Sequence, residues 1–219
     1  MTITYKLELE KNTNCLTNLE YAVRKGNLLK TLETWGPQFT LRFDVNIPPR
    51  FPLGWFNLLH LTATDNSCCD PGDRLPSVML HRDSKGLEIE IAKTGHYEQK
   101  WKTQALEFGK WHRIEVEVKQ IANSTMDKFT FSVDGIIVWH FWETSITYQN
   151  VYLYLSSPWE PSLGQTEAKV KNLELNGEHI QIGPSSKGIY STYIDFCCIY
   201  FHLFYLWTLM SAKSQARSQ

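Results

Sequence analysis

The chain has 219 residues, of which 21% are charged and 13% aromatic, and its formal net charge is −1 at neutral pH. That length suits one large domain with a tail, and the near-neutral balance excludes attraction to nucleic acid or acidic lipid through bulk charge. Five cysteines are too few for a miniprotein built on disulfides, and their odd number leaves at least one thiol unpaired or bonded between chains in an oxidising compartment.

Read in chain order, MTITYKLELE at residues 1–10 alternates apolar and polar, which predicts a strand. It lacks the basic end and apolar run of a secretory signal peptide. Weak helix propensity follows around Leu16 to Lys30. QFTLRFDVNI then sets Phe39, Leu41, Phe43, Val45 and Ile47 against polar neighbours, the pattern of a strand with one buried face, and Pro48, Pro49 and Pro52 end it. GWFNLLHLTAT, from Gly54 to Thr64, is apolar on both faces and predicts a central strand. LPSVMLHRD, GLEIEIAK, HRIEVEVKQIA, KFTFSVDG, IIVWHFWE and VYLYLSS continue the series.

Two hairpins have a direct physical basis. Ile114, Val116 and Val118 face one way, a polar loop from Ala122 to Asp127 turns the chain, and Phe129, Phe131 and Val133 return on the same face. Asp134-Gly135 supplies the positive backbone angles of a tight turn into IIVWHF. The composition breaks at GPSSKG, so residues 1–182 read as the body, 183–188 as a linker, 189–210 as a hydrophobic segment and 211–219 as a short polar tail with Lys213 and Arg217.

Three readings of Ile189 to Met210 stand side by side. About 22 residues of helix reach ~33 Å, enough to cross a bilayer. The basic tail would then be cytoplasmic and the body outside, although Asp195 and His202 are costly in hydrocarbon. Ser185 and Ser186 before an apolar run suit a glycolipid-anchor signal, but nine polar residues follow the run. The β-branched and aromatic content also suits a strand pair or a helix packed on the body.

GKWHRIEVEVKQ followed by FTFSVDGIIVW resembles the central hairpin of concanavalin A-like, laminin G-like jelly rolls. With GNLLKTLETWGPQFTLRFDV, GWFNLLHLTAT, CCDPGDRLPSVMLH and NVYLYLSSPWEPSLGQTEAKVKNLEL, the pattern is similar to such domains in extracellular proteins of marine invertebrates, including cnidarian adhesion-type and skeletal organic matrix proteins. The resemblance covers about residues 22 to 176. It implies an all-β fold, a two-sheet antiparallel jelly-roll sandwich with a hydrophobic C-terminal tail outside it, and extracellular residence, either secreted or at the cell surface.

Some members of this superfold hydrolyse polysaccharides with two carboxylates about 5 to 5.5 Å apart. In the jelly-roll glucanases these lie in an E-x-D-x-x-E strand. Here Glu88-Ile89-Glu90 and Glu115-Val116-Glu117 lack the aspartate and the third glutamate, so they read as solvated strand faces and the chain as not an enzyme. No nucleophile elbow and no phosphate-binding glycine loop is present. His60 and His81 fall on adjacent strand candidates and read as sheet histidines with satisfied hydrogen bonds.

No cofactor is expected beyond a candidate calcium set of Asp65, Asp70 and Asp73. The preferred account of Asp73 and Arg74 is structural, with the guanidinium fork bridging the aspartate and loop carbonyls to hold a turn. Sugar binding needs an aromatic platform beside polar groups, and Trp159, and Trp101 near Tyr97, are the candidates. Asn123-Ser124-Thr125 is an N-glycosylation acceptor in a predicted hairpin loop.

Cys68-Cys69 is not C-x-x-C, which removes thioredoxin-like chemistry. A bridge from Cys15 to Cys68 or Cys69 would close a loop of more than about 50 residues, worth ~3 to 4 kcal/mol. The resemblance implies partners for the doublet on the following hairpin, yet Gly86 to Lys100 contains no cysteine. A vicinal bridge, an intermolecular bridge and a free thiol therefore stay open. The sequence reading is an extracellular binding or adhesion module for a glycan or matrix protein, tethered through residues 189–210, with no nucleic-acid partner; a structural role in an extracellular matrix is the alternative, and a degenerate polysaccharide hydrolase ranks behind both.

Overall fold

The computed structural model describes residues 20–23, 26–49, 55–66, 70–81, 86–93, 99–156, 158–159 and 168–182. The strand expected at residues 1–10, Cys15, the Cys68-Cys69 doublet, Tyr97, the linker and the whole tail lie outside them. In chain order the strands are β1 (Tyr21–Ala22), β2 (Asn27–Trp35), β3 (Gln38–Asn46), β4 (Trp55–Thr62), β5 (Arg74–His81), β6 (Gly86–Ala92) and β7 (Gln99–Lys102). They continue with β8 (Trp111–Gln120), β9 (Met126–Val133), β10 (Ile136–Thr144), β11 (Tyr148–Leu155), β12 (Lys169–Leu175) and β13 (Glu178–His179).

All pairings among them are antiparallel. The first sheet runs β1-β12-β3-β8-β9-β10, with β13 also on β12, and the second runs β2-β11-β4-β5-β6-β7. The chain is an all-β jelly-roll sandwich, as its sequence predicts. The helix propensity around Leu16 to Lys30 is overridden where that stretch is described. β2 pairs with β11 from Tyr148↔Trp35 to Leu155↔Asn27, and the ladder and burial so gained outweigh a weak local preference.

The apolar alternation seen in the sequence becomes cross-strand rows. Phe39, Val118 and Phe129 are in register across β3, β8 and β9, as are Leu41, Val116 and Phe131, then Phe43, Ile114 and Val133. All nine are buried. Leu59 and Leu61 of β4, Val78 and Leu80 of β5, Ile89 and Ile91 of β6, and Val151, Leu153 and Leu155 of β11 belong to the same core. Each buried Val, Leu or Phe contributes about 1.5 to 3 kcal/mol, which makes this layer the main source of stability. Asp134 (φ +53°) and Gly135 (φ +79°) form the expected tight turn, both in the left-handed region.

The outer face of the first sheet is a solvated ladder of charges. Arg42 grips Glu115 with two bonds of 2.8 and 3.0 Å, and Arg113 spans Asp44 and Glu174, each at 3.1 Å. Partly exposed pairs of this kind add little each, but they fix β3, β8 and β12 in register.

The second sheet differs along its central strands β4, β5 and β6, whose side chains are buried on both faces. Its outer row holds Asn57, His60, Thr62, Ser77, Glu88 and Glu90, all buried. This corrects the reading of Glu88 and Glu90 as a solvated face. Their alternation with Ile89 and Ile91 is real, but the side they point to is not open to solvent. The expected two-faced burial of β4 holds, with polar residues on one of those faces.

One buried ion pair joins the sheets. Lys93, just after β6, meets Asp127 in β9, and both side chains are fully buried. The ammonium lies 5.6 Å from the Trp35 ring centroid and 5.1 Å from that of Phe129, and the Tyr148 hydroxyl donates to the Lys93 carbonyl. Removing one partner strands a charge in the core. Asp127→Ala is expected to destabilise the fold by about 3 to 5 kcal/mol, whereas Lys93→Met combined with Asp127→Leu costs far less, as chemical denaturation would show.

His60 supplies a second test. Burial first, and then the charge of Arg74, hold its imidazole pKa down at about 4 against an ordinary value of 6.5. As pH falls from 6.5 toward 4 the unfolded chain takes up a proton that the folded chain refuses, so stability declines across that window and is fully present above it. The expected loss between about pH 7 and about pH 4.5 is ~2 to 3 kcal/mol. Denaturation midpoints should fall over that range in the parent and stay flatter in His60→Gln; equal slopes would contradict this role.

Candidate functional site

The outer face of the second sheet is built by register. Tyr154 of β11 lies beside His60 of β4, His60 beside Ser77 of β5, Ser77 beside Glu90 of β6, and Glu90 beside Lys100 of β7. In the neighbouring row Glu88 lies between Met79 and Lys102. A shift between Asn57 and Leu59 in the β4–β5 ladder puts Asn57 on the same side as His60.

The hydrogen bonds within this face are short-range and directional. The Asn57 amide donates to Ser77 Oγ at 2.8 Å and lies 3.1 Å from His60 Nδ1, while His60 Nε2 is 3.4 Å from the Asn66 carbonyl. With Nδ1 accepting and Nε2 donating, a neutral imidazole satisfies both contacts. Arg74 pairs with Glu90, and Lys102 Nζ lies 2.9 Å from Glu88 Oε2. Glu88 Oε1 and Asn57 Oδ1 are buried acceptors without a hydrogen-bond partner. Buried acceptors left in that state are costly.

Aromatic rings border the polar set. Trp159 packs on His60 at 5.4 Å and edge-on to Tyr154 at 5.5 Å between centroids, and Tyr152 lies 6.4 Å from Tyr154. Trp159, Tyr152 and Tyr154 are half-buried, so each presents ring surface at the border of the face. Burial, and then the bond its hydroxyl donates to Asp65 at 3.1 Å, push the Tyr154 pKa up to about 12.

The turn between β4 and β5 positions one end of this face. The Asp73 carboxylate accepts from the Thr64 hydroxyl, from the Asp70 amide at 2.8 Å and from the Asn66 side chain at 3.4 Å. Gly72 strengthens the closure, donating to the Ala92 carbonyl at 2.7 Å and accepting from the Ala63 amide at 2.9 Å. Its φ is +94°, and a Cβ at this position would fall 2.9 Å from the ring of Tyr148, which leaves no room for a side chain. Arg74 reaches outward from the turn to Glu90 on β6, a contact that the residue pattern does not foretell.

The sequence-predicted candidates do not converge. Trp159 lies on the outer face of the second sheet. Trp101, in register with Ile89, points to the opposite side and stacks on Trp139 of β10 at 6.4 Å and 11°. Asp65 is engaged by Tyr154 and Asp73 by the turn. Among the described residues no group of three or more His, Cys, Asp or Glu side chains is arranged to hold a metal ion. Asn123 is exposed with φ +56° in the β8–β9 loop, where the Ser124 hydroxyl accepts from the Met126 amide at 3.0 Å. Sequence reasoning missed Asn57, Ser77, Glu88, Glu90 and Tyr154 as one constellation. The signal was the charge pattern: E-x-E in β6 stands opposite K-x-K in β7.

No protein-family model and no curated protein sequence matches the chain. Solved structures with some likeness include the Trypanosoma rangeli sialidase in complex with sialic acid, 17% identical with a TM-score of 0.46, covering 66% of this chain and 21% of that one. An alginate lyase from Alteromonas sp. 272 is 13% identical with a TM-score of 0.41, covering 71% of this chain and 77% of the lyase. Galectin LEC-6 of Caenorhabditis elegans is 10% identical with a TM-score of 0.42, covering 71% of this chain and 94% of the galectin. The chain thus spans about a fifth of the sialidase it matches. Likenesses this distant assign it no ligand and no activity. The expectation that it is not an enzyme is withdrawn, with sialidase and alginate lyase chains among these neighbours and the sequence argument for it narrower than the conclusion. The missing E-x-D-x-x-E pattern excludes one arrangement of carboxylates and not catalysis as a whole.

Proposed function

We propose that the chain binds a glycan on the outer face of its second sheet. The observation that carries this reading is the coexistence, on one face, of the half-buried rings of Trp159 and Tyr154 with the unpartnered acceptors Asn57 Oδ1 and Glu88 Oε1. A sugar has apolar C–H patches that stack on rings, which Trp159 and Tyr154 present at the border of this face, and a rim of hydroxyl donors, which the buried acceptors would meet only once the face opens. Botulinum neurotoxin type C, whose cell entry depends on interaction with two ganglioside molecules, is also among the structural neighbours, which is compatible with the reading without carrying it.

The resemblance of CCDPGDRLPSVMLH and the surrounding strands to extracellular domains of marine invertebrates supports a place outside the cell, with an adhesion or matrix role. No helix among the described residues is long and apolar enough to cross a membrane, and residues 189–210 lie outside them. A membrane tether through that segment is part of the proposal.

The test is glycan-array binding by the full chain, followed by titration of the best hit against two variants. Trp159→Ala is expected to weaken binding about tenfold, equivalent to ~1.4 kcal/mol, and Glu88→Gln to weaken it by a similar factor. Absence of binding to any glycan, or affinity indifferent to both changes, would overturn the reading.

A further inference from the structure

The buried pair of Lys93 and Asp127 is a reactive arrangement as well as a structural one. Lys93 follows β6 of the second sheet, Asp127 belongs to β9 of the first, and both side chains are fully out of water. Lys93 Nζ is in contact with Asp127 Oδ2, while Asp127 Oδ1 is buried with no hydrogen-bond partner. The surrounding walls are aromatic. The ring centroids of Trp35 and Phe129 lie 5.6 and 5.1 Å from Nζ, and the Tyr148 ring lies 6.2 Å from that of Trp35.

A second carboxyl group stands beside the pair. Glu143 of β10 is directly opposite Asp127 in the β9–β10 ladder, and it shares strand parity with Trp139 and Phe141, which stack inward. Directly opposed residues have Cβ atoms about 5 Å apart. Glu143 Oε2 is buried. Burial, and then the charge of Glu143, raise the Tyr148 pKa, which sets Glu143 close to the hydroxyl that donates to the Lys93 carbonyl.

We propose that Lys93 and Asp127 condense into an intramolecular isopeptide bond, with Glu143 as the proton carrier. One proton transfer along the Nζ–Oδ2 contact turns the ion pair into an amine and a carboxylic acid, a change that the absence of hydration favours. The Nζ lone pair attacks Asp127 Cγ, the N–C bond forms and the C–OH bond breaks. Nζ gives up one proton to Glu143, which passes it to the departing hydroxyl. One water leaves, and no oxidant or further reactant is needed.

Geometry and medium both support this step. Attack needs the two atoms about 3 to 3.5 Å apart, and an amine in contact with a carboxyl oxygen is one bond from the carbon it attacks. Holding the groups in place is equivalent to an effective concentration of about 10⁵ to 10⁸ M, which offsets a poor leaving group. In water the separated ions are favoured because both are hydrated. Here neither is, so the neutral amide removes two buried charges at once. The bond ties together residues 34 positions apart and joins the two sheets covalently without cysteine. It stands whether or not the outer face of the second sheet binds a glycan.

Peptide mapping tests this on the full chain made by cell-free synthesis, which adds no glycan. Samples taken over time are denatured, reduced and digested with trypsin. The expected product is a branched species of residues 86–100 and 120–128, uncleaved at Lys93 and lighter by one water than the two peptides together. The double variant Lys93→Met with Asp127→Leu should fold and give no branched species. Glu143→Gln, shown to be folded by circular dichroism, should form it at least about a hundredfold more slowly. Complete cleavage after Lys93 in the folded parent would overturn the proposal, and so would a branched species that appears in Glu143→Gln at the parent's rate.

Discussion

A pleated strand sends successive side chains to opposite sides, so a sheet that buries one row must still account for the other. In the first sheet the second row meets water and is filled by Arg42, Glu115, Arg113, Asp44 and Glu174, whose pairings are individually weak. In the second sheet it is buried and yet polar, with Asn57, His60, Ser77, Glu88 and Glu90. Burying such groups is unfavourable unless each is paired, and most of them are. The arrangement follows from this constraint: Arg74 and Lys102 compensate the two carboxylates, His60 stays neutral, and Asn57 Oδ1 and Glu88 Oε1 are left without a hydrogen-bond partner.

The apolar layer between the sheets makes that arrangement tolerable. The in-register rows of β3, β8 and β9 and the leucines, valines and isoleucines of β4, β5, β6 and β11 hold the two sheets together. Lys93 and Asp127 add a charged contact inside the layer at the end where β6 leaves the second sheet, close to the rings of Trp35 and Phe129. Such a pair contributes no more to net stability than an apolar replacement of the same shape often does. The polar face is therefore carried on strands whose positions are set from the other side.

Much of the fold was legible because period-two alternation reports a buried face directly. Phe39 to Ile47, and the pair of runs from Ile114 to Val133, needed no further information. Asp134-Gly135 declared its turn by residue type alone. What could not be read was which side of a strand faces water when both sides are covered. Glu88 and Glu90 have the spacing of a solvated row, and nothing in GLEIEIAK distinguishes that from a buried polar row. The partners that make the difference, Arg74 and Lys102, come from other strands and are fixed by register. Trp101 and Trp159 were equally uninformative as single residues. One closes the sandwich edge on Trp139 and the other borders the polar face; register in β7 places the first, and the bend after β11 places the second.

The central claim is that ligand engages the outer face of the second sheet near Trp159 and His60. It is tested most directly by nuclear magnetic resonance, following the Trp159 indole and His60 ring signals while neutral and acidic oligosaccharides are added. The account predicts that these two respond first and together, with Trp111 on the first sheet unchanged. Responses confined to the first sheet, or none with any oligosaccharide, would contradict it.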